Sequence, residues 1–304
     1  MSSGGRGYFS DKDMTQLRQT AVERLERSRV DAEVNSLLRQ ELATINDRDV
    51  DKVNERLDEI REALADQVED FDRLRFGGSV AKHTAVDGLS DVDTLVLLKD
   101  DAAERSPEQA RQQIAETLRA QLPHGQIDAI DVGPLAVTVR YRDGEEIQLL
   151  PAVPRGREFA ISSTDGRSWS GDIDAQAFAR TLSQVNQRQG DMVIPTIKLA
   201  KAVFDNKLGE SAPSGYHVEA LAVAAFENYT GPRNHRAMLT HLVESASENV
   251  RRPIHDVTSQ SPHVDADLGA ASSAARQTLA RRLTGLEKVL ETSQSLDEWR
   301  GLFE

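Results

Sequence analysis

The chain contains no cysteine. That excludes a disulfide framework and every thiolate-held zinc or iron–sulfur centre, and it suits a reducing compartment. Also missing is any apolar run approaching the roughly 20 residues that a membrane-spanning helix needs. The opening segment Met1-Ser-Ser-Gly-Gly-Arg-Gly lacks the apolar stretch of a secretory signal. These absences lead to the expectation of a soluble, cytoplasmic protein with no membrane partner. Positive charge is short as well: 37 Lys and Arg stand against 50 Asp and Glu, a formal net charge of −13. Duplex binding draws most of its affinity from cations that neutralise phosphates, so no broad duplex nucleic-acid surface is expected, although a local basic site is compatible. The seven histidines show no His-Glu-x-x-His or other paired-ligand spacing, which argues against zinc. There is no Walker A loop, dinucleotide fingerprint, internal repeat or low-complexity tract.

What is present is enough chain, 304 residues, to bury a core in two lobes or in one large α/β domain without a metal or disulfide staple. From Asp11 to about Val68 the pattern is helical, and Val50, Val53, Leu57, Ile60 and Leu64 form one apolar stripe. This reads as an N-terminal helical spine. From Leu74 the signal changes to short apolar runs at Thr94 to Leu98, Ile127 to Val132, Leu135 to Tyr141 and Glu146 to Leu150, with a helix from Pro107 to Leu122. Asp143-Gly144 between two of these runs predicts a hairpin, since glycine accepts the positive φ of a tight turn. A small, mostly antiparallel sheet with helices is therefore expected. Pro151, Pro154 and the Ser/Thr/Gly-rich stretch Ser162 to Gly171 mark a passage to a second region that is helical almost to its end. Helices are expected from Pro195, from near Ser214, over His235 to Glu248 and over Ala270 to Leu290.

The chemistry is concentrated in Phe76-Gly-Gly-Ser-Val-Ala-Lys-His-Thr-Ala-Val-Asp-Gly-Leu-Ser-Asp-Val-Asp-Thr-Leu-Val. Gly77 and Gly78 let backbone amides approach an anion, Ser79 adds a hydroxyl donor, and a turn of this kind leading into a helix suits a phosphate. Asp91 and Asp93, two apart at the opening of a strand, place both carboxylates on one face. Mg²⁺ favours one or two carboxylates plus substrate phosphate oxygens and water, so the pair is a candidate site for Mg²⁺ or Mn²⁺. Taken singly, Asp-Val-Asp in so acidic a chain is a solvated strand end and Gly-Gly-Ser is a turn. Their order, their separation and the apolar strand directly after Asp93 favour the functional reading.

These residues resemble the signature of the DNA polymerase β-like nucleotidyltransferase superfamily, a Gly-Ser turn followed about a dozen residues later by an acidic-hydrophobic-acidic strand. Within it the chain is similar to the CD-NTases of CBASS anti-phage defence, bacterial relatives of cyclic GMP-AMP synthase and oligoadenylate synthetase. Three further stretches carry the narrower resemblance. Ile197-Lys-Leu-Ala-Lys-Ala-Val-Phe resembles the helix whose later lysine, here Lys201, contacts the triphosphate. Ser214-Gly-Tyr-His-Val-Glu resembles a segment that places an aromatic, here Tyr216, on a base. Ile147-Gln-Leu-Leu-Pro-Ala resembles the strand that carries the third metal ligand. Two positions depart from the pattern: Gln148 stands where the third Asp is usual, and Gly215 stands where a phosphate-binding serine is usual, with Ser214 adjacent. An amide oxygen can ligate a metal but brings no charge and cannot act as a base. Glu146, two residues before Gln148 on the same strand face, is a local candidate to replace the carboxylate, against its reading as a solvated hairpin residue. By default Lys198 and Lys201 are exposed helix lysines, Tyr216 caps the core, and Arg155 and Arg157 are solvated loop arginines.

The resemblance implies an α+β fold with two lobes, residues 1–155 forming the nucleotidyltransferase core with its helical spine and residues 156–304 an all-helical lobe. It implies catalytic Asp91, Asp93 and Gln148, metal held by Asp91 and Asp93, and nucleotide held by Gly78, Ser79, Lys201, Ser214 and Tyr216. The implied activity joins nucleoside triphosphates into a cyclic or short linear oligonucleotide second messenger, with Mg²⁺ or Mn²⁺ as cofactor and a separate effector protein answering the product. Two other readings stay open. One is transfer to an RNA end, a protein or a small-molecule acceptor. The other is a nucleotide sensor without catalysis, in keeping with Gln148.

Overall fold

Helices and strands share the first 161 residues of the chain, and among the described residues after them the regular elements are helices. The computed structural model describes residues 11–47, 49–86, 92–155, 158–163, 166–170, 177–254, 264–293 and 295–304. Asp91 and Arg157 lie outside the described residues. Two helices open the chain, α1 (Asp11–Ile45) and α2 (Val50–Gln67). Then come β1 (Phe71–Phe76), a single helical turn α3 (Gly78–Ala81), β2 (Val92–Leu98) and α4 (Pro107–Gln121). Strands β3 (Ile127–Val132), β4 (Val137–Tyr141), β5 (Glu146–Arg155) and β6 (Glu158–Ile161) complete the sheet.

The sheet runs in the order β1-β2-β5-β4-β3, with β6 also paired to β5. Only β2 and β5 are parallel, and every other pair is antiparallel, in keeping with the expected mostly antiparallel sheet. Gly144 turns the β4–β5 hairpin with φ of +92°. Two expectations need correction. The strand containing Gln148 does not stop before the prolines but runs through Pro151 and Pro154 to Arg155, because proline is tolerated where the ladder needs no donor. The first and last strands, β1 and β6, were not legible as strands: β1 is an exposed edge whose Phe-Asp-Arg-Leu-Arg-Phe shows no clean alternation.

Strand alternation divides the sheet into two faces. Val92, Val96, Ile147, Leu149, Val137 and Val139 turn toward α2 and α4 and form one buried core with Val53, Leu57, Ile60, Leu64, Ile114 and Leu118. Val50, the first residue of the expected stripe, is instead exposed at the helix start. Helix α4 begins with a reciprocal capping box between Ser106 and Gln109 and with Pro107 in its first turn, both strong start signals. On the opposite face Leu95, Leu97 and Ala152 form a small buried group, with Asp93 and Gln148 on the same side.

The helical lobe comprises α5 (Ala177–Arg188), α6 (Val193–Leu208), α7 (Gly215–Phe226), α8 (His235–Asn249), α9 (Ala274–Thr292) and α10 (Leu296–Arg300). Its core takes in Val34, Leu37, Leu38 and Leu42 of α1 beside Ile197, Phe204, Leu221, Phe226, Leu242 and Leu283. The second half of α1 therefore packs with helices more than 140 residues away, while Met14, Leu17, Val22 and Leu25 of its first half are exposed. Inside this lobe the buried Arg276 donates to Asp265, Gly269 O, Val250 O and Arg252 O, tying the loop before α9 to the end of α8.

Candidate active site

The turn after β1 is built around one carboxylate. Gly77 N donates to Asp93 O at 2.8 Å, so the turn closes onto β2 at the strand position that carries Asp93. Gly78 has φ of +48°, a left-handed conformation that favours glycine. A Cβ at Gly78 would lie 2.6 Å from Asp93 Cβ and overlap its carboxylate. Only a residue without a side chain lets the Asp93 carboxylate sit directly on the turn. Ser79 follows, half-buried, its carbonyl accepting from Thr84 N at 2.9 Å. The helix that opens here is four residues long, so an anion bound at the turn would meet the turn's own amides and the Ser79 hydroxyl rather than a helix dipole.

The parallel register of β2 and β5 pairs Asp93 with Gln148, and the antiparallel register of β5 and β4 pairs Gln148 with Thr138. A carboxylate and an amide thus stand side by side on the face that looks toward the helical lobe. Glu146 lies on the same face and is engaged: Arg140 Nε donates to its Oε1 at 2.6 Å, while Arg140 Nη1 holds Asp131 at 2.6 Å. Among the described residues no group of three or more His, Cys, Asp or Glu side chains is arranged to hold a metal. Among the described residues, what the structure offers a divalent ion is the Asp93 carboxylate on the Gly-Ser turn beside the Gln148 amide, a donor set that would fit Mg²⁺ or Mn²⁺ if substrate oxygens completed it.

The helical lobe closes on the turn through a buried charge cluster. Lys201 of α6 donates to Thr84 O at 3.0 Å and to Glu219 Oε1 at 2.9 Å. Thr84 Oγ1 also donates to Glu219, and Lys82 pairs with the other Glu219 oxygen. Glu219 is 1% exposed. Burial alone would raise its pKa, but the charges of Lys201 and Lys82 outweigh that and hold it below the ordinary carboxylate range. Burial conversely pulls the Lys201 ammonium below its ordinary range, with Glu219 and Asp93 opposing.

Tyr216 stands at the start of α7, half-buried, with its ring 4.8 Å from that of Phe178 in an edge-on contact. The Lys82 ammonium lies 4.8 Å from the Tyr216 centroid and 5.2 Å from that of Phe178. Ser214 is the N-cap of α7, its hydroxyl accepting from His217 N at 3.2 Å. A Cβ on Gly215 would come within 3.3 Å of Lys201 Nζ, so the absence of a side chain there leaves room for the ammonium. Lys198, by contrast, turns to Asn46 at the end of α1. A cavity of about 440 Å³ opens beside the turn, lined by Arg75, Phe76, Gly77, Gly78 and Leu95 and, from α5, by Arg180 and its neighbours.

The structure therefore brings Gly78, Ser79, Asp93 and Gln148 into one cleft wall and links Lys201 and Tyr216 to it through Thr84, Lys82 and Glu219, while Ser214 is engaged as the cap of α7. Lys82, Thr84, Glu219 and Phe178 were not singled out by sequence reasoning. One signal was there for Glu219, a lone carboxylate amid Val218, Ala220, Leu221 and Ala222, which must find a buried cation. The assembled site can present amides and a hydroxyl to phosphate, a carboxylate to a divalent ion, the Lys82 ammonium beside the turn, and an aromatic ring from the opposite lobe.

No family model matches the sequence, and no curated protein matches it significantly. Solved structures do match. The Bradyrhizobium diazoefficiens CD-NTase CdnG, solved in complex with GTP, is similar with a TM-score of 0.69 at 14% identity, covering 89% of this chain and 96% of that chain. Escherichia coli MS115-1 CdnC, solved with ATP, gives 0.64 at 16% identity over 84% of this chain and 91% of that one. Vibrio cholerae DncV, a cyclic AMP-GMP synthase and prokaryotic cGAS homologue, gives 0.62 at 13% identity over 97% and 90%. Identities this low speak for architecture alone, and the architecture of this chain is the CD-NTase fold.

Proposed function

We propose that the chain is a metal-dependent nucleotidyltransferase that joins nucleoside triphosphates into a cyclic or short linear oligonucleotide. The observation that carries this reading is the seating of the Asp93 carboxylate on Gly78, within the Gly-Ser turn and beside Gln148. CdnG and CdnC were solved with GTP and ATP, and DncV is a cyclic AMP-GMP synthase, which supports the same substrate class here. In this reading the Gly77–Ser79 amides and the Ser79 hydroxyl bind the phosphate tail, and Tyr216 receives the base. The lysine cluster between the lobes balances the charge of the tail. A ribose hydroxyl of one nucleotide attacks the α-phosphate of another and pyrophosphate leaves. A second round closes a ring or lengthens the chain. A Mg²⁺ or Mn²⁺ ion held by Asp91 and Asp93 would supply charge neutralisation and an acidified attacking hydroxyl. Gln148 supplies an amide oxygen to the same wall but takes no proton.

The family resemblance extends this reading to anti-phage defence, with the product acting on a separate effector protein. Mass spectrometry of products from all four ribonucleoside triphosphates with Mg²⁺ or Mn²⁺ tests it, and new oligonucleotides with pyrophosphate are the expected result. A second reading, a nucleotide sensor, is favoured by the neutral Gln148 beside Asp93, and it predicts triphosphate binding without pyrophosphate release.

A further inference from the structure

Lys201 is the lysine that the family pattern assigns to the triphosphate, yet its ammonium is engaged inside the protein. It is 8% exposed. Its partners are Thr84 O at 3.0 Å, Glu219 Oε1 at 2.9 Å and Thr84 Oγ1 at 3.4 Å. An ammonium has three donors and three acceptors meet them here, so a ligand could recruit Lys201 only by breaking the clamp on Thr84. Lys82 is nearly as enclosed, its side chain 12% exposed, but it is bonded differently. Among the described residues its ammonium has one acceptor, Glu219 Oε2, and otherwise faces the rings of Tyr216 and Phe178. Thr84 and Glu219 occupy all three donors of Lys201, so the donors left unmatched in the cluster are on Lys82. Its position matters equally. Lys82 springs from the turn that contains Gly78 and Ser79 and ends at the ring of Tyr216. A nucleotide with its base on Tyr216 and its phosphates on that turn must run along this side chain.

We infer that Lys82 is the cation that contacts the phosphate tail, and that Lys201 and Glu219 are positioning residues that hold Thr84 and hence the end of the turn. This rests on the nucleotide reading above. The experiment compares binding of AMP, ADP and ATP by calorimetry, with Mg²⁺, for wild type, Lys82→Gln, Lys82→Arg, Lys201→Gln and Glu219→Gln. Loss of a charge-assisted contact to the tail should weaken ATP about tenfold in Lys82→Gln and leave AMP within about twofold. Lys201→Gln and Glu219→Gln should weaken all three nucleotides by similar factors and lower the melting temperature. Lys82→Arg keeps the pairing with Glu219 and serves where Lys82→Gln does not fold: it should change ATP affinity by more than it changes AMP affinity. A loss in the Lys82 variants that ignores phosphate number, or one graded by phosphate number in Lys201→Gln, overturns the assignment. Wild-type protein that binds none of the three nucleotides overturns the nucleotide reading itself, and the assignment with it.

Discussion

Asp93 on β2 lies alongside Gln148 on β5 in the parallel ladder, so a carboxylate and an amide share the cleft wall where the family pattern has two carboxylates. The pairing fixes what substitutions at these positions should do. Asp93→Asn removes the described carboxylate nearest the turn and should lower pyrophosphate release by roughly 10²-fold or more, the scale on which electrostatic groups in active sites act. Gln148→Asp restores the usual charge and should raise turnover or shift the Mg²⁺ optimum downward. A metal titration of both variants by pyrophosphate assay reads the effect.

Glu146 is held by Arg140 across the hairpin, its Oε1 accepting from Nε at 2.6 Å. A carboxylate already paired in this way is a poor substitute for the missing ligand. Glu146→Gln should therefore keep turnover within about threefold of wild type, since exposed ion pairs contribute little. Activity as low as that of Asp93→Asn would reassign Glu146 to the metal.

Gly78→Ala tests the turn. Placing an L side chain at φ of +48° costs roughly 1–2 kcal/mol, and its Cβ would in addition displace the Asp93 carboxylate. The variant should fold with a lowered melting temperature and lose nearly all turnover. Gly77→Ala is the control: a Cβ there meets its nearest neighbours at 3.7 Å, ordinary contact.

Much of this wall was legible in sequence because it is local. Gly78, Ser79 and Asp93 fall within one strand–turn–strand unit, whereas Gln148 was reached through the family resemblance of its strand, and its pairing with Asp93 comes from the structure. The two-lobe order followed from the change of hydrophobic period near the prolines. The charge cluster was hidden for the opposite reason: Lys82, Lys201 and Glu219 come from three elements separated by up to 137 positions, and only packing joins them. The packing of α1 into the helical lobe was hidden too, since an apolar stripe says that a face is buried and not against what. Ser214 shows a different limit. Its residue type suits a phosphate and also an N-cap, and the structure places it as the cap of α7.

His217, buried in α7 with its Nε2 3.6 Å from Asp265 Oδ2, makes stability depend on pH. Burial lowers its pKa from the ordinary value of 6.5, with Asp265 and Asp267 opposing and Arg276 reinforcing. The unfolded chain therefore binds this proton at a higher pH than the folded one. Stability is complete above the unfolded pKa and declines as pH falls below about 6.5. Glu219 and Asp265, both lowered, act only at more acid pH. Melting temperature measured between pH 7.5 and 5 should fall toward acid in wild type and fall less steeply in His217→Gln. Equal slopes would show that another group governs this range.

In the proposed reaction the Asp93 wall catalyses nucleotidyl transfer between two nucleotides without a template. Its most direct measurement is the product spectrum, by mass spectrometry with parallel pyrophosphate detection, of wild type and Asp93→Asn given all four ribonucleoside triphosphates and Mg²⁺ or Mn²⁺. Wild type should yield soluble oligonucleotides and pyrophosphate, and Asp93→Asn neither, at unchanged melting temperature. Equal product from both proteins, or wild-type turnover only after RNA or protein is added, would contradict it.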